Sequence, residues 1–147
     1  MELNFDVCSH EWVVFKNNEF SVVVKHWQRK GWNSFSGEFT KENMVMINHW
    51  NVYVHVFEGT ELFDNIERLE SAPWHGGVTY QEKFTQRPAN GIQYDWQKEH
   101  SYYKYGSDYA HAYDERFETE DGKDGIPYEI QNDARALVNW LLNKEEV

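Results

Sequence analysis

From Trp50 to Phe57 the chain alternates at every step: Trp50, Val52, Val54 and Val56 fall on one side, Asn51, Tyr53, His55 and Phe57 on the other. Only an extended strand has a side-chain period of two, so this segment belongs in a sheet with its aliphatic side buried. His55 then sits on a mixed aromatic face, either as a packed, hydrogen-bonded residue or as part of a pocket floor. A strand of this kind needs partners. Trp12–Lys16 and Phe20–Trp27 are rich in β-branched and aromatic residues and flank Asn17-Asn18, whose side chains tolerate left-handed geometry; together they predict a hairpin. Within it Ser21, Val23, Lys25 and Trp27 share one face, and Val22, Val24 and His26 the other.

Leu3–Val7 and His100–Asp114 also have strand character. Gln28–Thr40 carries Gly31 and Gly37 among aromatics and reads as a loop, with a short strand near Ser34–Phe39. Gly59 closes the alternating strand; Thr60–Glu70 then reads as a short helix or ordered loop, with Leu62, Ile66 and Leu69 at helical spacing, broken by Ser71-Ala72-Pro73. Gln81–Asn90 reads as a surface connection, and the acidic, glycine-bearing run Glu118–Gly125 as a solvated loop. Pro127 suits the first turn of a helix, and Ile130, Ala134, Leu137, Val138 and Leu141 recur at its period, so Pro127–Asn143 is an amphipathic helix. No repeat, low-complexity tract or linker divides residues 1–147. The expectation is one α+β domain, an antiparallel sheet of about five strands with the C-terminal helix packed on one face.

At 147 residues such a domain buries a core without staples. The only cysteine, Cys8, leaves no internal disulfide and no thiolate zinc cage, and without an electropositive neighbour other than His10 it makes a poor nucleophile. A formal charge of −11 opposes direct binding to nucleic acid, where affinity comes from Lys and Arg displacing counterions, and suits a basic protein partner. No window reaches the roughly 18 apolar residues of a membrane span. The opening Met-Glu-Leu-Asn-Phe-Asp lacks the basic and apolar regions of a signal peptide, so the expected location is cytoplasmic.

Two stretches hold the residues able to do chemistry. In Trp74-His75-Gly76-Gly77-Val78-Thr79-Tyr80, paired glycines free the backbone to take positive φ, so that His75 and Thr79 can be aimed at one point; the same residues also make a plain turn into a strand. In Asp108-Tyr109-Ala110-His111-Ala112-Tyr113-Asp114, carboxylate, imidazole and carboxylate recur at intervals of three. Brought together, His75, Asp108, His111 and Asp114 are a His₂Asp₂ set suited to a divalent metal, with His75, Asp108 and His111 as ligands, or to acid–base work centred on Asp108 and His111. Structural roles also account for them: Asp108 capping a turn, His111 hydrogen-bonded in the core, Asp114 opening the acidic loop. That loop does not fit a calcium-binding pattern, because Ile126 directly follows Gly125. No phosphate loop, dinucleotide fingerprint or nucleophile elbow occurs. Lys25-His26-Trp27-Gln28-Arg29-Lys30 interleaves cations with an indole able to stack on a base, or is simply an exposed hairpin end.

His75-Gly76-Gly77-Val78-Thr79-Tyr80, then Gly106, Asp108, Ala110, His111 and Asp114, then a C-terminal helix resemble a family of small bacteriophage and prophage proteins. That family has His-Gly-Gly-[Leu/Ile/Val]-Thr-[Phe/Tyr] and Gly-Phe-Asp-Cys-Ala-His-x-x-Asp motifs. Ser107 and Tyr109 stand where it has Phe and Cys, which removes thiol chemistry from the site. The resemblance implies a mobile-element origin and no particular activity. In that setting two roles fit: an accessory, counter-defence protein binding a small nucleotide-like or metal-bound ligand through His75, Gly76, Gly77, Thr79, Asp108, His111 and Asp114, or an acidic inhibitor that covers a basic nucleic-acid channel of a host defence enzyme.

Overall fold

The computed structural model describes residues 9–32, 37–86, 100–111 and 113–143. Five antiparallel strands form one sheet: β1 (Ser9–Lys16), β2 (Phe20–Gly31), β3 (Val45–Phe57), β4 (Tyr80–Gln86) and β5 (His100–Asp108), in the spatial order β1-β2-β3-β5-β4. The predicted hairpin is present. Its turn does not use left-handed asparagine, however, since every positive φ among the described residues belongs to a glycine. Asn17 instead closes it with its carboxamide, which accepts hydrogen bonds from the Glu19 and Phe20 N–H groups at 2.8 and 2.9 Å.

Strand alternation sorts residues onto two faces. On one, Val22, Val24, Trp50, Val52, Val54 and Val56 are buried with Tyr105, as the sequence period requires. This face is covered by a short helix α1 (Glu61–Asp64), a 3-10 turn over Ile66–Ser71, and helix α2 (Tyr128–Leu142), which buries Ile130, Ala134, Leu137, Val138 and Leu141. Thr60 caps α1 by accepting from the Phe63 N–H. Pro127 stands just before α2 as its cap residue rather than inside its first turn. The other face carries cross-strand rows: Trp27 beside His49; Lys25, Asn51 and Asp108; Val23, Tyr53, Gly106 and Tyr80; Ser21, His55, Lys104 and Glu82.

Several expectations are corrected. The segment Gln28–Thr40 is not a loop throughout: β2 runs on to Gly31 because its backbone pairs with β3 from Val45, while Gly37–Thr40 is not extended into a strand. The connection expected at Gln81–Asn90 begins as edge strand β4, whose polar residues suit an edge open on one side. Strand β5 stops at Asp108, short of Asp114. The acidic loop starts as a 3-10 turn over Glu115–Thr119. Leu3–Val7, residues 33–36 and residues 87–90 lie outside the described residues. No described helix is long and apolar enough to cross a membrane.

Candidate functional site

The chain reaches His75 from a fixed anchor. Trp74 is buried, and its indole N–H donates to the Leu69 carbonyl at 2.8 Å, so the residue after it is held at the end of the sheet. Gly76 and Gly77 then take φ of +71° and +92°, the left-handed region that other residues rarely adopt. A Cβ on Gly76 would lie 2.6 Å from His111 Nε2 and 2.9 Å from the Tyr113 hydroxyl, so a larger residue would collide with the site itself. Thr79 ties the turn to β5: its N–H donates to the Gly106 carbonyl at 2.9 Å, and its hydroxyl accepts from the Asp108 N–H at 3.2 Å.

Beyond Asp108 the chain turns under the sheet end. The Asp108 carboxylate accepts from the Ala110 N–H at 3.3 Å, and the Tyr109 N–H donates to the Trp50 carbonyl at 3.0 Å. Asp114 comes to lie between the two imidazoles. Its Oδ1 is 2.7 Å from His75 Nε2; its Oδ2 is 2.9 Å from His111 Nδ1 and accepts from the His111 N–H at 2.9 Å. The Asp114 side chain is only 1% exposed. Burying an ionised carboxylate is costly unless its oxygens are filled, and here three donors fill them.

The surroundings hold this arrangement. Tyr109 stacks on the His75 ring at 4.0 Å and 13°, and its hydroxyl donates to Asp133 of α2 at 2.5 Å. Burial first, and then that bond to Asp133, push the Tyr109 phenol far above its ordinary range, so it stays a donor. The second His75 nitrogen, Nδ1, is 3.7 Å from the same Asp133 oxygen. The two histidine rings meet edge to face at 5.5 Å.

Of the residues singled out by sequence, His75, Gly76, His111 and Asp114 converge directly, and Thr79 joins the two stretches. Gly77 shapes the turn. Asp108 is peripheral: its Oδ1 lies 3.9 Å from His111 Nδ1 and its side chain is 40% exposed, so the pair expected at the centre is replaced by His111 and Asp114. The donor atoms of His75, His111 and Asp114 all lie within 4.8 Å of one another.

His111 and Asp114 open onto a recess of about 280 Å³ that Arg29 and His49 also line. Arg29 donates from Nε to His49 Nε2 at 2.8 Å. Burial, and then this guanidinium, hold the His49 imidazole below its ordinary range, which keeps it neutral and accepting. Sequence reading missed Arg29, His49 and Asp133 as members of the site. Asp133 had a legible signal: it falls between Ile130 and Leu137 on the border of the apolar stripe, where a carboxylate points toward whatever the helix covers. Arg29 stood in the cationic Lys25–Lys30 stretch, but nothing in the sequence joined that stretch to His111 and Asp114, and His49 had no signal.

Comparison with protein-family models, with curated protein sequences and with solved structures finds no match to this chain.

Proposed function

We propose that the protein binds a divalent transition-metal ion through His75, His111 and Asp114, and that the ion and Arg29 together hold a small anionic ligand in the recess. The observation that carries this is Asp114, buried and held by both imidazoles. Two imidazole nitrogens and one carboxylate oxygen are the donors preferred by zinc and iron(II), and three protein ligands leave a position open for a ligand or water. With metal bonds of about 2.0–2.1 Å, tetrahedral donors sit about 3.3 Å apart; His75 and His111 now contact different Asp114 oxygens at 2.7 and 2.9 Å, and one donor atom from each residue lies within 4.8 Å of the others, so the three side chains need to regroup around a single carboxylate oxygen. The hydrogen bonds that now join the donors would be exchanged for the metal.

Asp133 fits the role of a supporting carboxylate behind His75, fixing which nitrogen faces the centre. Such an ion supplies Lewis acidity to a bound anion or water. The chain's own residues orient and enclose: Tyr109 keeps His75 flat against it, and Arg29 offers a fixed positive charge. In the mobile-element setting that the motifs imply, a site of this kind suits capture or hydrolysis of a small phosphorylated signal.

Calorimetric titration of metal-free protein with zinc and with manganese tests the reading. One ion should bind per chain, each imidazole placing its hydrogen on the nitrogen turned away from the ion, for His75 the Nδ1 that faces Asp133. Asp114→Asn and His75→Gln should each weaken binding at least about tenfold. A folded wild-type protein that takes up neither metal would sink the proposal.

A further inference from the structure

In the Lys25–Lys30 stretch, Lys25, Trp27 and Arg29 share one face of β2 but line different hollows. Arg29 turns toward His49 and the metal-side recess, whereas Lys25 and Trp27 line a separate cleft of about 350 Å³ with Ser9, Asn51 and Tyr53. The Trp27 and His49 rings stack at 4.1 Å and 17°, and this pair stands between the two hollows.

Three features define what the cleft accepts. An indole N–H can only donate, so the atom of Asn51 that Trp27 Nε1 reaches at 3.1 Å is the carboxamide oxygen. The Asn51 Nδ2 is thereby left with two N–H groups that have no partner among the described residues. Lys25 likewise makes no ion pair among the described residues, although Glu11 stands opposite it in the β1–β2 register. Lastly, His49 covers one side of the Trp27 indole, while the β1 residue beside it is Ser9, too small to cover the ring. Among the described residues the cleft therefore offers an aromatic surface, an amide donor and a positive charge side by side.

We infer that this cleft binds a planar heteroaromatic ring bearing an anionic group, the chemistry of a mononucleotide. The ring lies on Trp27, an acceptor on its edge takes the Asn51 amide hydrogens, and the anion meets the Lys25 ammonium. Base stacking on an aromatic side chain tolerates any base, so the class is set by ring and charge together. A polynucleotide is disfavoured, because a chain of formal charge −11 repels a phosphate backbone. None of this depends on a metal at His75, His111 and Asp114.

The test is an NMR titration of the full chain with AMP in the presence of EDTA, which keeps the metal proposal out of the result. The Trp27 indole N–H and the Asn51 side-chain amide should shift and saturate, with adenosine and inorganic phosphate each binding at least about tenfold more weakly. Lys25→Ala should remove the preference for AMP over adenosine, and Trp27→Ala should abolish the response. If the tryptophan variant does not fold, Lys25→Ala decides alone. The inference is overturned by a wild-type protein that shows no saturable shift with AMP, by unchanged AMP affinity in Lys25→Ala, by inorganic phosphate binding as tightly as AMP, or by a single-stranded oligonucleotide binding more tightly than AMP.

Discussion

Asp114 holds His75 at 2.7 Å across a sequence separation of 39 residues, joining the glycine turn before β4 to the loop after β5. Replacing its carboxylate by an amide keeps the shape but turns an N–H toward one of the imidazole N–H groups. Asp114→Asn should cost about 1–3 kcal/mol in urea denaturation, the expense of a buried donor left unmatched. Asp108→Asn, at a half-exposed position with one long hydrogen bond, should stay within about 0.5 kcal/mol of the parent. Equal costs would show that Asp114 does not anchor the two segments.

Gly76 is the position where the turn and the site compete for the same space. Gly76→Ala adds a methyl at φ +71° and drives it into the His111 imidazole. Left-handed strain alone is worth about 1–2 kcal/mol, so the thermal midpoint should fall and the His111 ring resonances should move. Gly59→Ala, also at positive φ but facing open space, should bear the strain without the shift at His111. Unchanged His111 resonances in Gly76→Ala would contradict this packing.

Tyr109 separates two jobs in one side chain. Tyr109→Phe keeps the ring stacked on His75 and loses only the hydroxyl bond to Asp133, a change of about 1 kcal/mol that should leave metal uptake intact. Tyr109→Leu removes the stack as well and should weaken metal uptake. If the two variants bind metal alike, the ring has no part in placing His75.

Two imidazoles outside the His75–His111–Asp114 cluster set the expected response to acid. Burial, and then Lys104, hold His55 below its ordinary value of 6.5, and burial and then Arg29 do the same for His49. Among the described groups, His55 Nε2 is also buried without a hydrogen-bond partner, so protonation there gains nothing. The folded chain therefore refuses protons that the unfolded chain accepts. Stability from these groups is complete above the unfolded value and declines as pH falls through about 6.5 toward the folded values. Urea midpoints should drop between about pH 7 and pH 5.5, and by less in His55→Phe. A midpoint that rises on acidification would show that His49 and His55 are not held below their ordinary range.

Much of the scaffold was legible in the chain because its signals are local. The period-two run at Trp50–Phe57, the paired segments either side of Asn17 and the stripe from Ile130 to Leu141 each state which side is buried, since a strand or helix repeats its faces within a few residues. Neighbourhood across the sheet is not written that way. Insertion of β5 between β3 and β4 depends on which strand edges meet, and it makes an edge strand of residues whose polarity reads as a connection. The site divides along the same line. Residue types alone drew attention to His75, His111 and Asp114, because imidazoles, carboxylates and paired glycines are sparse in packing roles. Only the tertiary structure chose Asp114 over Asp108 and brought in Asp133, Arg29 and His49: β5 ends at Asp108 with that side chain on the open face, and the chain then folds Asp114 beneath the sheet, where burial makes it hold both rings.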